Sequence, residues 1–148
     1  MSMDEIHTGG CQCNAVRYQL RGPLPAAYCC HCGECKKQSA SAFSMSIPLL
    51  FERLNVVGEV AVYVTRGFGG ERKLACFCNQ CGTRLWHRLA EDGMWVTLKV
   101  GTLDDAAGIS PRGHLWVSKM QPWVVVPEDV PAFETQPDDV HAWRTSLE

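Results

Sequence analysis

Seven of the nine cysteines in this 148-residue chain fall into three tight groups: Cys11 with Cys13, Cys30 with Cys32 and Cys35, and Cys78 with Cys81. Sulfurs so close along a chain converge readily on one tetrahedral ion at about 2.3 Å and are poor disulfide partners for each other. A disulfide framework is the competing account, because close cysteines also occur in small secreted domains. Against it, the stretch Met1 to Thr8 carries Asp4 and Glu5 and no apolar run, so no secretory leader is read there. Metal ligation in a reducing, cytoplasmic setting is the expectation.

A hydrophobic content of 46% is that of an ordinary globular chain, and residues 1–148 are read as one zinc-binding domain. No run approaches the roughly 20 apolar residues of a membrane-spanning helix. The formal charge of −2 falls to about −5 with one zinc on four thiolates and another on three. Nucleic acid asks for the opposite sign, and Lys36, Lys37, Arg66, Arg72, Lys73, Arg84 and Arg88 are scattered among acids. No nucleic-acid or membrane partner is expected, whereas a small anionic ligand is compatible. Nothing in the sequence sets an oligomeric state.

Short alternating apolar runs point to β-strands: Val16, Tyr18 and Leu20; Phe43, Met45 and Ile47; Val60, Val62 and Val64; and Trp95, Val96, Leu98 and Val100. Turn residues bound them at Gly22-Pro23, Gly69-Gly70, Asp92-Gly93 and Gly101. Trp123 to Val126, ahead of Pro127, reads as a last strand. Two short helices are predicted, over Glu34–Ala40 and Pro137–Arg144. The fold class is mainly β with few short helices.

Cys78-Asn79-Gln80-Cys81-Gly82 is the most specific motif. A glycine after the second cysteine takes positive φ and turns backbone N–H groups toward the sulfurs. Two ligands do not close a structural zinc site, and Cys11-Gln12-Cys13, followed by Asn14, is the clean pair that remains. Cys11, Cys13, Cys78 and Cys81 are assigned to one closed, structural zinc. Cys30, Cys32 and Cys35 offer three thiolates, which with one open coordination position is the pattern of a catalytic zinc. The alternative is closure by Cys29 or His31. Adjacent residues of an extended segment point to opposite sides, so both should face away from the ion that Cys30 and Cys32 hold. Gly33 would leave room for an approaching group.

The run His7-Thr8-Gly9-Gly10-Cys11-Gln12-Cys13-Asn14-Ala15-Val16-Arg17-Tyr18, then Cys30-His31-Cys32-Gly33-Glu34-Cys35, then Phe77-Cys78-Asn79-Gln80-Cys81-Gly82-Thr83 resembles the glutathione-dependent formaldehyde-activating enzyme family, which includes centromere protein V. The likeness continues through Gly101-Thr102-Leu103-Asp104-Asp105, Pro111, His114-Leu115-Trp116-Val117 and Pro122-Trp123, so it spans about residues 7 to 126, with 127–148 as a C-terminal extension. It implies a tent-like arrangement of antiparallel β-sheets around a four-cysteine zinc, with a second, more labile zinc on the three-cysteine group. The implied activity joins glutathione to formaldehyde as S-hydroxymethylglutathione, formally a carbon–sulfur lyase reaction. Asn14 stands where members usually have glycine, and Lys36 where they usually have arginine. A lysine would hold a carboxylate as a point charge, without the planar fork of arginine.

Three function classes follow. One is an enzyme acting on thiol adducts of a small aldehyde, with glutathione or a similar thiol. Another is a non-catalytic zinc-built binding module. The third is the same scaffold using another thiol or electrophile. For the enzyme, Cys30, Cys32 and Cys35 are the catalytic set. Three thiolates leave zinc a weak Lewis acid, so positioning the substrate thiol is the expected contribution. Cys29 and Cys76 read as packing residues, and His114 as a proton shuttle or a hydrogen-bonded structural histidine. Trp86, Trp95, Trp116 and Trp123 read as core and pocket wall, and Trp143 as an anchor of the C-terminal segment. The loop Arg66 to Gly70 is a hairpin tip or a lid, and His87 and His141 carry no motif.

Overall fold

A computed structural model describes residues 2–91 and 93–148, so Asp92 of the Asp92-Gly93 turn lies outside the described residues. The alternation of Tyr18 and Leu20 with polar neighbours builds a strand, β2 (Arg17–Arg21), that buries one face. It pairs antiparallel with β1 (Ile6–Gly10) and with β5 (Leu54–Val57) in a three-stranded sheet. Tyr18 is buried across from Gly9, where a Cβ would run into its ring, and its hydroxyl bonds Thr102 Oγ1 at 2.8 Å. Gly9 is therefore set by close approach.

The larger sheet has seven strands in the order β10-β3-β4-β9-β8-β7-β6. These are β3 (Ala27–Cys30), β4 (Ser44–Leu50), β6 (Val60–Arg66), β7 (Arg72–Cys78), β8 (Arg84–Leu89), β9 (Trp95–Lys99) and β10 (Pro111–Leu115). Ile47, Leu49, Leu85, Val96, Leu98 and Val100 form the core with Leu20 of the smaller sheet and Val16, which precedes β2. Pro48 sits inside β4, which has neighbours on both sides. The β3 ladder ends at Ser46, however, so at Pro48 the strand pairs with β9 alone. All ladders are antiparallel except β3–β10, the long crossover between these two strands permitting a parallel pair.

Val60, Val62 and Val64 form the predicted strand, at an exposed edge, whereas one predicted strand does not form. Val62, Tyr63 and Val64 of β6 are 48%, 58% and 50% exposed, because β6 is the outer strand, paired with β7 alone among the described residues. Trp123 to Val126 forms no strand, and Trp123 and Val125 are 70% and 85% exposed. The outer edge of β10 is already taken: the His114 N–H donates to the Pro131 carbonyl at 2.9 Å, and the Phe133 N–H to the His114 carbonyl at 2.8 Å. The valine run between Pro122 and Pro127 thus has no ladder to join.

Both predicted helices form, slightly shifted. The first, α1 (Gly33–Ser39), ends where Ala40 takes the left-handed conformation at φ 51°. The second, α2 (Val140–Thr145), starts later than Pro137 because Asp139 caps it, accepting from the Ala142 N–H at 2.9 Å. No helix of the described residues is long and apolar enough to cross a membrane.

Candidate metal centres

Cys11 and Cys13 lie in the turn after β1, and Cys78 and Cys81 at the turn between β7 and β8. Asn14 and Gly82 hold φ of 66° and 79° there. A Cβ at Gly82 would meet nothing within 4 Å, so glycine serves conformation at that position and not space. The four sulfurs all lie within 4.8 Å of one another, with Cys11–Cys13 at 3.6 Å and Cys13–Cys78 at 3.8 Å. A tetrahedron of sulfurs about 2.3 Å from zinc has edges of about 3.8 Å. The donor set and its spacing fit zinc. Backbone N–H groups support the sulfurs, Val16 to Cys11 at 3.2 Å and Gln80 to Cys78 at 3.3 Å. The Thr83 hydroxyl and N–H lower the Cys81 thiol to about 5, and the same hydroxyl accepts from the Gln12 N–H at 3.1 Å, joining the two turns.

The second group is assembled locally. Cys30 ends β3, Cys32 is the N-cap of α1 and accepts from the Cys35 N–H at 3.4 Å, and Cys35 sits in the first helical turn. Their three sulfurs also lie within 4.8 Å of one another, and all three residues are buried. Hydrogen bonds from Cys30 and Cys32 draw the Cys35 thiol down to about 2, while Cys32 and Cys35 push Cys30 far up. A divalent ion among the three sulfurs would favour ionisation of all three. Cys29 and His31 do not belong to this group. His31 faces the other way, its Nε2 within 2.9 Å of His114 Nδ1, and its ring lies beside Phe43. That contact makes His114 a hydrogen-bonded histidine paired with His31. A Cβ on Gly33 would meet nothing within 4 Å.

A cavity of about 410 Å³ opens beside Cys30, Cys32 and Cys35, and the four-cysteine group takes no part in its lining. Ser44, Ser46, His87, Trp95, Lys99 and Arg144 contribute to the wall. Lys99 is buried and donates to the Ser44 and Ser46 hydroxyls at 3.2 and 3.3 Å. Burial lowers its pKa, with Cys35 acting in the opposite sense. His87 is held well below its ordinary value by burial and by Lys99, and its Nδ1 is buried with no hydrogen-bond partner among the described residues.

Sequence reasoning passed over Lys99 and His87. The signal was a lysine inside the alternation of β9, where Thr97 and Lys99 share one face and Val96 and Leu98 the other. Lys36, by contrast, lies off the cavity lining. Its ammonium is bonded to the Lys119 carbonyl and, at 3.3 Å, to Gln121 Oε1, tying α1 to the turn at 117–119. The Arg66 to Gly70 loop is a hairpin tip that also forms part of the cavity wall through Gly67, Phe68 and Gly69, Phe68 stacking on Trp116 at 4.6 Å. Trp86 is core, Trp95 and Trp143 are cavity wall, and the exposed Trp123 is neither. Cys29 and Cys76 are buried outside both sulfur groups.

Residues 6–119 match the family model described as glutathione-dependent formaldehyde-activating enzyme. Among solved structures, a crystal structure of a Rhodobacter sphaeroides protein superposes with a TM-score of 0.52 at 20% sequence identity, covering 84% of this chain and 98% of that one. At that identity the likeness concerns the fold.

Proposed function

The chain belongs to the glutathione-dependent formaldehyde-activating enzyme family, and from that premise we propose that it is a zinc-dependent enzyme of the carbon–sulfur lyase type acting on thiol adducts of small aldehydes. The observation that carries the reading is the contrast in surroundings: three buried cysteines face a cavity, and four close on one another away from it. In this proposal residues 1–148 act as one domain in a reducing cytoplasm, in keeping with nine free cysteines. Cys11, Cys13, Cys78 and Cys81 hold a structural zinc. Cys30, Cys32 and Cys35 hold a second with one position open to the substrate thiol.

When bound, that second ion supplies positive charge that favours a thiolate near neutral pH. The cavity walls hold thiol and aldehyde together, and proximity supplies most of the acceleration. The thiolate sulfur attacks the aldehyde carbon, a carbon–sulfur bond forms, and the carbonyl π pair moves to oxygen, which takes a proton to become the hydroxyl. Lys99 Nζ, steadied by Ser44 and Ser46, stabilises the negative charge on that oxygen. With glutathione and formaldehyde the product is S-hydroxymethylglutathione.

Exchange spectroscopy by nuclear magnetic resonance tests this directly. Catalytic amounts of zinc-loaded protein should speed exchange between free formaldehyde and its glutathione adduct. Exchange no faster than in buffer, with glutathione or any other thiol, would leave only a binding module.

A further inference from the structure

The family match ends at residue 119, but the cavity wall does not. Gln136, Val140, Trp143, Arg144 and Leu147 all contribute to it. The segment that brings them is firmly seated. The Trp143 ring meets Tyr28 and Phe133 edge-on, at 6.5 and 5.2 Å, and occupies the space a Cβ on Gly113 would need. Leu147 is buried, and its carbonyl accepts from the Ala26 N–H at 2.7 Å.

What α2 offers the cavity is positive charge and donors. The Arg144 guanidinium lies over the Trp95 ring, 5.4 Å from its centroid, and among the described residues it has no carboxylate within ion-pair distance. The same wall holds Lys99, whose partners are two neutral hydroxyls. A guanidinium presents a planar fork suited to a carboxylate. Arginine also keeps its charge at any working pH.

We propose that α2 makes the site selective for a carboxylate-bearing thiol, with the Arg144 guanidinium receiving the carboxylate. The proposal rests on reading the Cys30, Cys32 and Cys35 group as a thiol site. It assigns the selection to residues beyond the family-matched region, so relatives with a different C-terminal segment would select differently.

Titration calorimetry on the reduced, zinc-loaded full chain tests it, with glutathione and glutathione diethyl ester as probes that share a thiol and differ in free carboxylates. The wild type should bind glutathione about tenfold or more tightly than the ester. Arg144→Gln should weaken glutathione about tenfold and leave the ester unchanged, whereas Arg144→Lys should retain part of the preference. Thermal melts confirm that each variant is folded. Equal weakening of both probes, an unchanged affinity for glutathione in Arg144→Gln, or no binding of glutathione by the wild type would overturn the assignment. Because binding is read without turnover, the two readings fail separately. A chain that prefers glutathione over the ester but speeds no adduct exchange refutes the proposed reaction alone. A chain that speeds exchange equally with both probes refutes the α2 assignment alone.

Discussion

The two cysteine groups use the same donor atom in opposite architectural roles. Cys11, Cys13, Cys78 and Cys81 come from two turns far apart in the chain, each shaped by a residue with positive φ, and their sulfurs point at one another. Cys30, Cys32 and Cys35 come from one strand end and the helix that follows, and they face a cavity. The first arrangement joins the smaller sheet to the larger. The second demands little of the fold and leaves a side open. In the proposed reading, ligand number and what lies opposite the sulfurs, more than the cysteines themselves, separate scaffold from reaction site.

The largest effect expected from breaking this contrast is on the four-cysteine side. Cys78→Ser should abolish cooperative folding, since a structural zinc site in small domains contributes about 10–16 kcal/mol of apparent binding energy to folding. Circular dichroism melts and soluble yield measure it. A Cys78→Ser chain that melts like the wild type would undo the structural assignment. Cys32→Ser should do the reverse, lowering zinc from two to one per chain and removing adduct exchange by about a hundredfold or more while the melting temperature moves by only a few degrees. Metal analysis beside a melt decides it, and a Cys32→Ser protein retaining two zincs would contradict the open-site reading.

Lys99→Met sharpens the contrast within the cavity. A buried charge is costly to the fold, so stability should stay level or rise by about 1 kcal/mol. Turnover should drop by about a hundredfold, as for loss of a donor at a developing oxyanion. A parallel loss of both, read by urea denaturation and exchange kinetics, would make Lys99 a packing residue.

The smallest effect lies beside the four-cysteine group. Asp104 joins Arg17 and Thr8 of the smaller sheet, and Arg17 first, then Thr8, holds its carboxyl down at about 2. A depressed folded value means the stabilisation is present above the unfolded carboxylate value of about 4 and fades as pH falls toward 2. The melting difference between wild type and Asp104→Asn should be a degree or two at pH 6 and shrink steadily below pH 4. A difference that does not change with pH would remove the electrostatic account.

The two cysteine clusters and the β class were legible because cysteine spacing and period-2 alternation are local signals. Gly82 and Asn14 were legible for the same reason, each standing beside the motif it serves. The cavity was not. Lys99 is six strands further along the chain than Cys30, which it sits near, and Arg144 arrives on a helix beyond the last motif, so only tertiary placement gives either a meaning. Trp123 to Val126 shows the converse error. Its composition is that of a strand, but strand formation needs an open ladder, and residues 131–133 already occupy the edge of β10.

The span between the ligands also sets a timetable. Cys13 and Cys78 are separated by 65 positions, so the four-sulfur cage cannot close until most of both sheets has been synthesised and the intervening loop has been drawn shut. Cys30 to Cys35 emerge from the ribosome together. If both groups hold zinc as proposed, a nascent chain captures its first ion on the Cys30, Cys32 and Cys35 trio well before the four-sulfur cage exists, and the cage is the later of the two to fill.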